Sequence, residues 1–122
     1  MVEKLKKLIS RIKEDKKSIT VFAIVKMDGV IDKWSVILSA NWITDDLESR
    51  KEIFDYIRKL LIENLTEEER DSIARINLLT ENSHLIIKMR ELGSTQNGEV
   101  KMFKNIKLNG NEIHEAYIFE PN

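Results

Sequence analysis

Glu99, Val100 and Lys101 form a Glu-x-Lys triplet. Metal-dependent nucleases carry such a triplet on a strand, where carboxylates hold magnesium and a lysine polarises the attacking water. The same chemistry needs an aspartate on the preceding strand of the same hairpin. The segment before it offers Arg75 and Asn77 instead, with a helical stretch between, and Asp28 and Asp32 sit at the tip of an earlier hairpin, with no proximity fixed by the sequence. Gly93 to Gly98 has the glycine spacing of a phosphate-binding P-loop, but Glu99 and Val100 follow where Lys-Ser/Thr must reach phosphate and magnesium. The two histidines, His84 and His114, stand on separate elements without a second ligand three or four residues away. No serine sits in a Gly-x-Ser-x-Gly elbow. The chain has no cysteine, which removes disulfides, thiolate nucleophiles and Cys-ligated metals. These residues predict no catalytic centre, no metal and no cofactor.

Binding chemistry is better represented. Ser39 to Asp46 passes from a strand to a helix, the usual place for a ligand in α/β proteins. Asp45 and Asp46 put negative charge there and satisfy the helix-start amides, which favours a capped helix over an anion site. Trp42, just after the strand, is either a plug over the end of the core or an exposed anchor for a partner. Residues 1–17 carry seven bases against three acids, and residues 44–71 carry ten acids against five bases. The basic front and the acidic middle can face each other within one fold, between two copies, or toward different partners. Lys6, Lys7 and Lys13 are therefore candidate partner-binding residues together with Trp42. As a nucleic-acid surface the lysine set lacks interleaved aromatics and is interrupted by Glu14 and Asp15.

The elements that must hold these residues are legible from periodicity. Val2, Leu5, Leu8, Ile9 and Ile12 predict an amphipathic first helix docked by packing, with its lysines outward. Ile19 to Met27 is apolar on both alternating sets, as in a central strand covered on both sides. Asp28-Gly29 turns the chain into a second strand, with Trp34, Val36, Leu38 and Ala40 on one face and Ser35, Ile37 and Ser39 on the other. Asp45, with Glu48 as capping-box partner, is expected to start a long helix. Its buried stripe is Leu47, Ile53, Phe54, Ile57, Leu60, Leu61 and Leu65. Thr66 to Glu69 repeats the capping pattern for a short helix. A third strand runs from Ile73 to Leu79 with Ala74, Ile76 and Leu78 opposed to Arg75 and Asn77. Asn82 or Ser83 caps a helix ending at Leu92 before Gly93.

The closing segment is the clearest of all. Asn109-Gly110 between alternating apolar runs is a type I′ hairpin signal. It sets Leu108 against Asn111, Lys107 against Glu112, Ile106 against Ile113, Lys104 against Glu115, Met102 against Tyr117 and Val100 against Phe119, so that like meets like and charge meets countercharge. The chain of 122 residues is read as one α+β domain, 1–122, with a single mixed, mainly antiparallel five-stranded sheet. The element order is helix, strand, strand, helix, short helix, strand, helix, strand, strand. Two hairpins are expected to flank the third strand, with helices on both faces of the sheet or a second copy covering one of them. No run is long or apolar enough to span a membrane, and the N-terminus lacks a signal-peptide pattern. The expectation for function is a small, soluble, cytoplasmic, non-catalytic interaction module that binds a protein partner or itself. The alternative is a nucleic-acid-binding or metal-dependent nucleic-acid-processing protein.

Overall fold

The computed structural model of the chain describes residues 1–16, 18–27, 33–92, 100–108 and 110–119. The Asp28-Gly29 turn with Asp32, Gly93 to Glu99, Asn109 and Pro121 lie outside the described residues. The order of elements is α1 (Val2–Lys16), β1 (Val21–Met27), β2 (Trp34–Ser39), α2 (Leu47–Asn64), α3 (Glu67–Asp71), β3 (Ile73–Leu79), α4 (His84–Leu92), β4 (Val100–Leu108) and β5 (Asn111–Phe119). The five strands form one mixed sheet in the order β3-β2-β1-β5-β4, as the α+β reading requires. Among the described residues no helix is long and apolar enough to cross a membrane.

Because β1 is apolar on both faces it takes the centre, paired antiparallel to β2 on one side and to β5 on the other. The chain leaves β2, crosses through α2 and α3, and returns as β3 parallel to β2. The third strand therefore ends at the sheet's rim and not between two hairpins. Its polar Arg75 and Asn77 suit a rim position better than a doubly covered one.

Both faces of the sheet are clothed by helices. On one, Leu5, Leu8, Ile9 and Ile12 of α1 and Ile53, Ile57, Leu60 and Leu61 of α2 pack on Phe22, Ile24, Val36, Leu38, Leu78 and Phe119. The rings of Phe22 and Phe119 meet edge to face at 5.5 Å. On the other, Ile86 and Met89 of α4 pack on Val21, Ala23, Val25, Ile37, Ala116 and Ile118. Leu5, Leu8 and Ile12 are fully buried. Burial of such side chains stabilises by about 1.5–3 kcal/mol each, against up to about 1 kcal/mol for an exposed ion pair, so packing is what docks α1.

Three local expectations change. Asp46, not Asp45, caps α2, its carboxylate accepting from the Ser49 amide at 2.9 Å. The Thr66–Glu69 capping box forms as read, with bonds of 2.9 and 3.2 Å. On α2 the buried stripe loses two members: Leu47 is 83% exposed at the first turn, and Phe54 is 37% exposed on the outer flank. On β3 the register shifts where Trp34 meets Ile73 and Ser35 meets Arg75, leaving Ala74 as an extra residue. Ile73 thus packs toward α1 and α2 along with Ile76, and Ala74 is exposed.

The β4–β5 hairpin keeps the expected register among the described residues, including Lys107 with Glu112 and Val100 with Phe119. Its faces do not alternate simply. Asn105 adopts a left-handed φ of 55°, and the β1–β5 register skips His114 opposite it. Phe103 and Ile106, three residues apart, therefore pack on the same α4-side cluster, as do Ile113 and Ala116.

Candidate functional site

The seam between α1 and the α2–α3 segment shows what the charge asymmetry does. Lys4 Nζ lies 2.7 Å from Glu69 Oε1, and the Met1 amino group 3.5 Å from Glu69 Oε2. The Lys4 ammonium, aided by the Thr66 amide, holds the Glu69 carboxyl down at about 2. Arg11 and Tyr56 both donate to Asp15, at 3.2 and 2.6 Å, joining the end of α1 to α2. Burial and that hydrogen bond push the Tyr56 hydroxyl well above its ordinary range. Part of the basic front thus meets the acidic middle within one molecule. Of the candidate lysines, Lys6 and Lys7 are exposed and Lys13 is half-buried. Lys6 Nζ is 3.5 Å from Glu3, and Lys7 borders the α1–α2 seam beside Glu14 and Glu63.

Trp42 is half-buried against the core, and its indole N–H donates to the Ser18 carbonyl at 2.7 Å. Of the two roles weighed for it, the geometry is that of a plug. Around it, at the carboxyl ends of β2 and β3, lies a polar cluster. Thr20 donates to Glu81 at 2.5 Å, Ser18 to Asn41 at 3.2 Å and Thr80 to Asn82 at 2.5 Å. These groups satisfy one another, and no histidine or cysteine joins them. Among the described residues no group of three or more His, Cys, Asp or Glu side chains could hold a metal ion. His84 is exposed at the start of α4, and His114 is exposed opposite the Asn105 kink. Lys101 lies on β4 against Ile118, while Glu99 is outside the described residues. A second surface joins Trp34 and Tyr117, whose rings are tilted at 5.6 Å. Lys26 already covers the Trp34 ring at 4.6 Å, and the Tyr117 hydroxyl is 3.2 Å from Glu115.

A concavity with unused chemistry lies at the rim formed by β3. A groove of about 400 Å³ runs between the outer flank of α2, α3 and β3, lined by Phe54, Arg58, Leu61, Ile62, Arg70, Ile73, Ala74, Arg75 and Ile76. Phe54, Arg58 and Ile62 recur every four residues, so they form one stripe along α2. Ile62 is 51% exposed, an unusual state for isoleucine beside a second exposed apolar side chain. Arg70 donates to the Ile62 and Leu65 carbonyls at 3.0 and 3.5 Å, where the end of α2 presents its unpaired acceptors. Arg58 and Arg75 are exposed and pair with no carboxylate among the described residues. The groove lining contains no acidic residue.

Beside the groove, β3 is hydrogen-bonded to β2 alone among the described strands, so its outer edge has no strand partner among the described residues. At its upper end Arg50 bonds to the Leu78 carbonyl and donates to the Thr44 carbonyl at 3.2 Å. That guanidinium occupies the edge at Leu78 and leaves Ile73 to Asn77 open. Sequence reasoning missed the site because it assigned Phe54 to the core stripe and left Ile62 unassigned. The available signal was a surplus: α2 carries more apolar positions than one helical face can bury. No family model, curated protein or solved structure matches this chain, which leaves its own residues as the grounds for a functional reading.

Proposed function

We propose that this chain is a small, soluble, cytoplasmic, non-catalytic interaction module whose working surface is the β3 rim. The observation that carries the reading is the coincidence of an unpaired strand edge with exposed Phe54 and Ile62 and a groove lined by three arginines. Unpaired edges and contiguous apolar patches mark sites of association when the rest of the surface is charged. Affinity purification with Phe54→Glu/Ile62→Glu beside the parent chain and Met102→Glu tests it, followed by reconstitution from purified components. A partner that binds the parent and Met102→Glu directly but not the double variant supports the reading. Equal binding by all three chains would sink it. Self-association through Lys6, Lys7 and Lys13 against the acidic α2 of a second copy belongs to the same reading. Sedimentation equilibrium of the parent and the three-lysine variant decides that part.

Nucleic-acid binding is the second reading, favoured by the half-buried pair Trp34 and Tyr117 with Lys26 beside them. Phosphate contacts give an affinity that falls steeply with salt. A salt titration against single- and double-stranded DNA and RNA separates the two readings, and a steep slope at physiological salt would favour the second.

A further inference from the structure

We infer that the β3 rim seats an extended segment of a partner protein, added as a sixth strand, in which apolar residues alternate with acidic ones. This rests on the interaction-module reading and specifies what the module takes.

The backbone supplies the first part. A strand added to an open edge gains main-chain hydrogen bonds whatever its sequence, and the side-chain pockets beside the edge then choose which sequence docks. With Arg50 on the Leu78 carbonyl, the stretch open to pairing is Ile73 to Asn77. At roughly 3.3 Å per residue that is about 17 Å of edge, enough for a docked strand of about five residues.

Side chains supply the rest. Ile73 and Ile76 pack toward α1 and α2, and exposed Arg75, which also borders the groove, alternates with Ile76 along the strand. A docked strand must alternate in the same way. Its side chains on the α2 side enter the groove between Phe54, Ile62 and Ile76, where apolar residues fit. Those on the opposite side lie beside Arg75, while Arg58, midway between Phe54 and Ile62 on α2, and Arg70 add positive charge to the groove itself. Guanidinium groups without a carboxylate in the groove recognise carboxylates by charge-assisted, often bidentate, hydrogen bonds.

A second copy of this chain fits the same edge poorly. Two-fold pairing of β3 with β3 is isologous, so each copy brings Arg58, Arg70 and Arg75 to one seam. Six guanidinium groups would then meet with no acidic residue in either groove lining, and like charges at an interface work against association. The charge of the groove therefore selects an acidic partner over a self-complementary one.

The test uses the full chain and two labelled synthetic octapeptides, one alternating isoleucine with glutamate and one alternating isoleucine with lysine. Fluorescence anisotropy should show binding of the glutamate peptide alone. Exchange of β3 amide hydrogens should slow on binding, while β4 amides stay unchanged. Arg58→Glu/Arg75→Glu alters two exposed residues, so it should melt like the parent, bind the glutamate peptide at least about tenfold more weakly and gain the lysine peptide. Equal binding of both peptides, unchanged β3 exchange, or displacement by a single-stranded oligonucleotide overturns the inference. So does a β3-to-β3 dimer that excludes the peptide. Absence of peptide binding, with a purified partner still lost in Phe54→Glu/Ile62→Glu, overturns the acidic-strand inference and leaves the module standing. Absence of both removes the two together.

Discussion

The two rims of the sheet are built to opposite ends. The β4 rim is nine residues long, carries Lys101, Lys104 and Lys107, and is kinked at Asn105, where φ reaches 55°. Lysines and kinks are the devices by which soluble proteins keep an edge from pairing with another chain. The β3 rim is seven residues long, has Arg75 as the one charged side chain in the strand, and borders a groove with exposed Phe54 and Ile62. Among the described residues its block is Arg50, at one end. Within one molecule, then, one edge is guarded by charge along its length and the other is capped at a single point. An edge left open beside an apolar groove is the more informative of the two, because it carries the aggregation risk that β4 avoids.

The largest effect should come from the layer that holds α2 over β3. Ile57 is fully buried between α2 and the sheet. Ile57→Ala should lower stability by about 2–5 kcal/mol, with a matching fall of the denaturation midpoint. A loss under about 1 kcal/mol would mean that α2 is not docked on that face, and the groove would lose its wall. Next is Gly110, whose φ of 81° sits at the tip of the β4 rim with nothing within 4 Å of an added Cβ. Gly110→Val has open space at its Cβ, so its expected cost of about 1–2 kcal/mol is chiefly a backbone cost. A variant melting like the parent would break the assigned hairpin.

Arg50→Ala removes the block on β3. It should cost about 1 kcal/mol through the lost bonds to the Leu78 and Thr44 carbonyls, and it should lengthen the edge open to pairing. Light scattering would show more association at the β3 rim, whereas Lys104→Ala on β4 should change little because the Asn105 kink remains. Equal association in both variants would erase the difference between the rims.

Glu69 tests how α3 keeps its place beside the groove. Its carboxyl is depressed to about 2 by Lys4 and the Thr66 amide. A depressed folded value means stabilisation that is complete above the unfolded value near 4.5 and is lost as pH falls toward 2. Melting temperature should decline over that window in the parent, and Glu69→Gln should flatten the decline. The smallest effect is expected from Lys6→Gln/Lys7→Gln/Lys13→Gln, which should leave the melting temperature nearly unchanged. Unfolding of that variant would reverse the order of packing over charge in docking α1.

Much of this difference between rims could be read in the chain before folding. The hairpin register of β4 and β5 is local, since Asn109-Gly110 and the residues around it sit close in sequence. Thr66 and Glu69 form their capping box from four consecutive residues. Apart from one cap shifted locally, a non-local partner decided where the structure departed. Asp46 took the cap from Asp45 by one position, a choice that both carboxylates could serve. Ala74 yielded its inward place to Ile73 because β3 had to match β2 across a register shift. The Asn105 kink moved Phe103 to the same face as Ile106 because β5 had to skip His114 against β1.

By itself the sequence determined which segments are helices and strands, which face of α1 is buried, and that no catalytic constellation is spelled out by spacing. Those properties depend on neighbours within a few residues, where period, cap and turn chemistry act. Only the tertiary structure decided that β3 lies at a rim and that Phe54 and Ile62 overhang it unburied. The physical reason is that a helix buries only the part of its apolar surface that lies over the sheet. Where the sheet stops is set by the pairing of β1 with both β2 and β5, far away in the chain.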